Sequence, residues 1–127
     1  MGMRALRRLD PWLPPLLLMA LIFVASEQPS LDSGLGVIDL VGRKLVHFAQ
    51  YALLCFLWWR VFARRTSGPR AALAAFVVSV AYAASDELHQ SLVEGRSGTL
   101  VDWVIDGAGA GLAALWLRTR TRIRSAA

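Results

Sequence analysis

At 127 residues, with 56% hydrophobic and 18% charged, the chain is long enough for one domain and too apolar for an ordinary soluble one. The net charge of +5 would suit a nucleic-acid partner, but the arginines lie in short clusters bordering apolar segments, a distribution typical of membrane proteins. The single cysteine, Cys55, excludes a disulfide within the chain and lies in an apolar run, which indicates a buried small side chain.

Four apolar segments, taken in chain order, predict four membrane-spanning helices. We place them at about 11–27, 44–63, 71–92 and 100–117. A spanning helix needs roughly 20 mostly apolar residues. Residues 71–84 read AALAAFVVSVAYAA, with no polar face for water, so they do not resemble a surface helix of a soluble bundle. The expected fold over 1–127 is all-α: a single-domain, membrane-spanning four-helix bundle.

The first segment also has features of a secretory signal peptide. Three arginines precede it, its apolar run is short, and Ala25 offers a small residue near its end. The pattern of small residues expected at a cleavage site is poor, so a retained helix is favoured. Cleavage would leave three spans and the same assignment of the two sides.

Basic residues are distributed unevenly between the two sides of the predicted bundle. If the chain crosses four times from a cytoplasmic N-terminus, eleven arginines lie inside: Arg4, Arg7, Arg8, Arg60, Arg64, Arg65, Arg70, Arg118, Arg120, Arg122 and Arg124. Only Arg43, Lys44 and Arg96 lie outside. The positive-inside rule therefore places both termini in the cytoplasm.

Polar and ionisable residues gather where three of the predicted helices approach the outer face. Lys44, His47 and Tyr51 share one face of the second helix because they follow i, i+3, i+7 spacing. The others end the third helix, follow it, or begin the fourth: Asp86, Glu87, His89, Gln90, Arg96, Asp102 and Asp106. A charged residue at a helix centre costs about 2.5 to 3.5 kcal/mol on insertion scales. These groups should therefore face inward, where intramembrane ionisable residues usually mark a functional site.

The motifs within residues 43–117 together resemble the VanZ-like family of small bacterial membrane proteins. They are Lys44-x-x-His47-Phe48-x-x-Tyr51-x-Leu53, Ser85-Asp86-Glu87-x-His89-Gln90, Gly95-Arg96-Ser97 and Asp102. The resemblance implies a multi-pass plasma-membrane protein, and the family takes its name from resistance to the glycopeptide antibiotic teicoplanin. Its motifs carry over Lys44, His47, Glu87, Gln90, Arg96 and Asp102. The chain departs from the family pattern at two positions. Many relatives have Asp at the position of Arg43, and Asn is common at the position of Asp106.

Three functions are compatible with these residues. In the first, the six carried-over residues bind the headgroup of a lipid or lipid-linked cell-wall precursor, supported by Tyr51, Asp86, His89 and Asp106. In the second, the protein is an intramembrane hydrolase or transferase acting on such a lipid, with Glu87 or His47 as general base. In the third, the polar layer only locks the helices together. The oligomeric state is left open.

Neither a metal nor a cofactor is predicted. His47 and His89 have acids nearby, but no ligand spacing such as HExxH accompanies them. The presence of Asp102 also has a structural explanation, because Thr99-x-x-Asp102 resembles a capping box at a helix start. Asp106 has no such structural explanation and is the better evidence for a polar interior. Glycines 107 and 111 predict a close-packing face towards a neighbouring helix.

Overall fold

The computed structural model describes residues 11–28, 33–96 and 98–126, and all regular secondary structure in these ranges is helical. The helices are α1 (Leu13–Glu27), α2 (Val37–Phe62), α3 (Gly68–Leu92) and α4 (Leu100–Ala126). α2, α3 and α4 pack against one another, and α1 lies against α2 and α3. The all-α class and the four helices are confirmed. The predicted N-terminal arginine cluster and Ser97 lie outside the described residues.

α2 begins at Val37, upstream of the start predicted from the sequence. Gly36 precedes it with a φ of 55°, a left-handed conformation that glycine adopts without strain. Asp39, in the first turn, accepts hydrogen bonds from the backbone amides of Ser33 (3.1 Å) and Leu35 (3.2 Å). These bonds attach the preceding loop to the start of the helix. Residues 37–43, which precede the predicted helix start, are therefore helical.

Many of the large apolar side chains of the helices point outward, around a small buried apolar core. Leu21, Leu45, Leu73 and Leu112, one from each helix, are all exposed, whereas several acids are buried. α2, α3 and residues Leu100–Thr121 are long and apolar enough to cross a membrane; α1, with 15 residues, is a shorter apolar helix. This arrangement, with apolar side chains outside and polar contacts inside, is the one that a lipid environment favours.

Small residues let the helices approach closely. α3 turns a buried row of Ala71, Ala75, Ser79 and Ala83 inward, at one-turn spacing. Such rows are typical of helix interfaces in membranes, where packing replaces the hydrophobic effect as the driving force.

Among the glycines of α4, Gly109 lies closest to a neighbouring helix, closer than the two glycines singled out in the sequence. A Cβ at Gly109 would overlap the backbone carbonyl oxygen of Phe48 in α2. At Gly107 it would lie 3.9 Å from Val80, and at Gly111 3.5 Å from Phe76, which are ordinary contacts with α3 side chains. Gly109 is two residues from each of the others and therefore faces a different helix.

Candidate functional site

Asp86, near the C-terminal end of α3, joins three helices through one buried carboxylate. Its Oδ1 accepts a hydrogen bond from the Ser26 hydroxyl of α1. Its Oδ2 accepts bonds from Tyr51 Oη of α2 (3.2 Å) and from Gln90 Nε2 (3.0 Å), one turn further along α3. Three donors thus satisfy this acid, as a carboxylate removed from water requires.

Arg96 connects the turn after α3 to the end of α1. Its Nη1 donates to the carbonyl oxygens of Ala25 (3.1 Å) and Gln28 (2.9 Å), and its Nη2 donates to Gln90 Oε1 (3.2 Å). Since Gln90 also donates to Asp86, the guanidinium extends the Asp86 network to the surface.

Two polar pairs join α2 to α4. Lys44 Nζ lies 2.6 Å from Asp102 Oδ1, with both side chains partly exposed, and His47 Nδ1 lies 3.2 Å from Asp106 Oδ1. The two pairs follow one another along the interface because the partners are one turn apart on each helix. The Asp102 amide donates to the Thr99 hydroxyl (3.1 Å), which is one of the two bonds of the predicted capping box. The Asp102 carboxylate accepts from the Thr99 hydroxyl (2.6 Å) and not from the Thr99 amide, so the second bond of the box is not made.

Glu87 approaches the same interface from α3. Its Oε2 accepts a hydrogen bond from the Thr99 amide (2.9 Å). Gly98 makes this contact possible, since a Cβ there would overlap the Glu87 backbone carbonyl oxygen. Ligand atoms of Glu87, Asp106 and His47 lie within 4.8 Å of one another.

His89 lies apart from these contacts. Its ring stacks on Phe23 of α1, with centroids 4.5 Å apart and planes inclined by 6°. Its Nε2 is 4.0 Å from Glu27 Oε1. Its position beside Asp86 and Gln90 at the end of the third predicted helix did not indicate that α1 would cover it. The other predicted side chains all belong to the networks or pairs described above.

Two adjoining grooves open beside these contacts. The larger, about 510 Å³, lies between the end of α1 and the start of α2. The smaller, about 180 Å³, includes Lys44, Gln90 and Asp102. Arg43, His47 and Arg96 line both. The remaining walls of the larger groove are a mixture: Ile22, Ala25, Ser26, Gln28, Ile38, Asp39, Gly42, Val46 and Gln50.

Sequence reasoning missed two residues of this site. Arg43 is exposed, lines both grooves and makes no hydrogen bond or ion pair with the residues that the structure describes. In the sequence, Arg43 appeared as one of three basic residues on the outer side and as a departure from the family pattern, and neither feature indicated a groove-lining side chain. Ser26 ends the first apolar segment in the sequence, and the available signal was a small polar residue at the depth of buried acids.

A family model described as VanZ/LLP1 matches residues 12–121. No curated protein and no solved structure matches the chain. The matched residues contain α1, α2, α3 and every side chain of the networks and pairs, so the match covers the site as well as most of the chain. The chain therefore belongs to the VanZ/LLP1 family, in agreement with the resemblance found in its motifs.

Proposed function

We propose that this protein binds the anionic headgroup of a lipid or lipid-linked cell-wall precursor near the outer leaflet of the bacterial plasma membrane. The observation that supports this proposal is the pair of grooves. Arg43, Lys44 and Arg96 line them, while Ile38 and Val46 give the larger groove an apolar wall. An amphiphile with a phosphate or carboxylate next to a hydrocarbon chain matches this combination.

The three cations are not equally available to such a ligand. Arg96 uses three donors within the protein, so it positions the end of α1 as well as lining the grooves. Lys44 contacts Asp102 with one of the three N–H donors of an ammonium group. Arg43 has no partner among the described residues, and its planar fork suits bidentate binding of phosphate. Arg43 and Lys44 are therefore the expected primary contacts.

Replacing Arg43 or Lys44 with glutamine should weaken lipid binding by about ten- to a hundredfold, since a hydrogen bond to a charged group contributes about 1.5–3 kcal/mol. Native mass spectrometry of the purified chain with phosphatidylglycerol, and separately with a polyprenyl diphosphate, measures the loss and distinguishes the two lipid classes. Arg64→Gln, in the exposed turn between α2 and α3, is the matched control.

Variants that fold as the wild type does yet lose lipid would exclude a purely structural role for the polar layer. Wild-type protein that retains neither lipid, or an Arg64→Gln variant that loses as much as Arg43→Gln, would contradict headgroup binding. By family membership we extend the proposal to a link with glycopeptide antibiotic resistance, through recognition of a cell-wall precursor.

The proposal includes four crossings, with both termini in the cytoplasm. The arginine distribution supports this orientation. The turn at Arg64 and the turn at Glu94 lie at opposite ends of α3, so they should be on opposite sides of the membrane.

Single-cysteine variants test this orientation. In a Cys55→Ser background, Glu94→Cys should react with a membrane-impermeant maleimide in intact cells, and Arg64→Cys only after permeabilisation. The wild-type chain is the control, because its buried Cys55 should stay unlabelled. Equal labelling of both positions in intact cells would refute the topology, and the reverse pattern would refute its direction.

A second candidate function is hydrolysis or group transfer on the same class of lipid. The contact between Asp106 and His47 Nδ1 favours it, because a buried carboxylate can orient a groove-lining imidazole as a general base. The lipid incubations described above separate the two functions, since only a catalyst changes the mass of the recovered lipid.

A further inference from the structure

The buried acids of the site differ in how well their oxygens are satisfied. Asp86 has three donors, and Asp102 has Lys44 and Thr99. Glu87 is 7% exposed and Asp106 is fully buried, yet Glu87 Oε1 and Asp106 Oδ2 have no hydrogen-bond partner among the described residues. A buried carboxylate oxygen without a partner is unfavourable, and such groups in native proteins usually indicate a missing ligand, proton or ion.

These two incompletely satisfied acids are the ones that approach His47. One ligand atom from each of the three residues lies within 4.8 Å of the other two, and His47 Nδ1 is 3.2 Å from Asp106 Oδ1. Atoms that bind one ion at about 2.0–2.2 Å lie about 3–4 Å apart. The closer pair already has this separation, and a small movement of the Glu87 side chain would complete the set.

We propose that His47, Glu87 and Asp106 bind one divalent transition-metal ion between α2, α3 and α4. One imidazole nitrogen and two carboxylate oxygens suit Zn²⁺ or Mn²⁺ better than Mg²⁺ or Ca²⁺, which prefer oxygen ligands alone. Three ligands leave a coordination position open, as in catalytic rather than structural metal sites. His47 lines both grooves, so this position would be reached from them.

The local charges favour a cation here. Lys44 is paired with Asp102, one turn away from Asp106. Among the described residues, only His47 and the Thr99 amide hydrogen-bond to the carboxylates of Glu87 and Asp106. A divalent ion would neutralise both carboxylates at once. Residue spacing does not single out this set, because its ligands come from three helices. The pair weighed in the sequence, His47 and His89, is separated by the packing of His89 on Phe23.

Metal binding to the purified chain is measured without any lipid. The result therefore tests the metal site independently of headgroup binding. The chain is prepared in detergent with a tag free of histidine, stripped with a chelator, and incubated with Zn²⁺, Mn²⁺ or Mg²⁺ in separate samples. Bound metal is counted by inductively coupled plasma mass spectrometry after desalting, and the Tm is measured with and without the ion. We expect one Zn²⁺ or Mn²⁺ per chain and a higher Tm, with little effect of Mg²⁺.

His47→Gln, Glu87→Gln and Asp106→Asn should each weaken binding at least about tenfold, since losing even an outer-shell partner typically costs that much. His89→Gln and Glu94→Gln, a histidine outside the site and an exposed acid, should bind as the wild type does. Wild-type protein that binds neither Zn²⁺ nor Mn²⁺ overturns the proposal whether or not the variants fold. Equal losses in the His89 and Glu94 variants overturn it as well, because binding would then be nonspecific.

Discussion

Replacing Gly109 with alanine is expected to destabilise the protein by about 3 kcal/mol, at the upper end of the range for overpacking in a core. The added methyl group would overlap the carbonyl oxygen of Phe48. A backbone atom cannot rotate away as a side chain can, so α4 must shift along its whole contact with α2. Thermal unfolding in detergent, followed by circular dichroism, measures the change in stability.

Gly107→Ala is the matched control, because its new methyl group would meet only Val80 at 3.9 Å. It should change stability little, or raise it slightly through the better helix propensity of alanine. Equal stability of the Gly109 and Gly107 variants would show that α2 and α4 do not pack as described.

The shift of α4 in the Gly109→Ala variant would also reach the site, since His47 and Asp106 flank the contact between Gly109 and Phe48.

Asp86→Leu is expected to lower the free energy of unfolding by about 1 to 3.5 kcal/mol, taking about 0.6 to 1.7 kcal/mol for each of its two interhelical hydrogen bonds, from Ser26 and Tyr51. The substitution leaves the donors of Ser26, Tyr51 and Gln90 without their shared acceptor. Because Ser26 is the α1 member of this set, α1 should separate from the bundle first. Unfolding in detergent gives the stability, and proteolysis near residue 28 reports the release of α1.

Two variants bracket this result. Asp86→Asn keeps one acceptor oxygen and should lose only part of the stability, while Ser85→Ala, at an exposed neighbour that bonds within its own helix, should lose almost none. If Asp86→Leu is as stable as Ser85→Ala, the buried network contributes nothing measurable. That outcome would also show that α1 stays attached through its other contacts, such as those of Tyr82 and Arg96.

The contacts of α1 bear on whether the first apolar segment is a helix of the mature protein. Tyr82 Oη donates to the Met19 carbonyl oxygen (2.6 Å), and Trp12 meets Trp58 edge-on with ring centroids 5.8 Å apart. Together with Ser26 these contacts run the length of α1. Because Ser26 of α1 completes the hydrogen-bond network of Asp86, these contacts favour a retained helix over a cleaved signal peptide.

Much of the fold was predictable because hydropathy and helical periodicity are local properties of a sequence. The apolar runs indicated four helices, and the cost of charge in lipid required Asp86, Glu87 and Asp106 to face inward. Helix ends were less predictable. α2 starts early because Asp39 anchors the preceding loop, a contact between residues that hydropathy does not report.

By itself, the sequence determined the helical class, the apolar exterior and the layer of ionisable side chains, because each follows from residue type and spacing along one helix. The tertiary structure decided which groups meet. Lys44 pairs with Asp102, Ser26 donates to Asp86, and the two incompletely satisfied acids, Glu87 and Asp106, approach His47. The physical reason is that these contacts depend on the rotation and offset of each helix against its neighbours. The packing of all four helices together determines that rotation and offset.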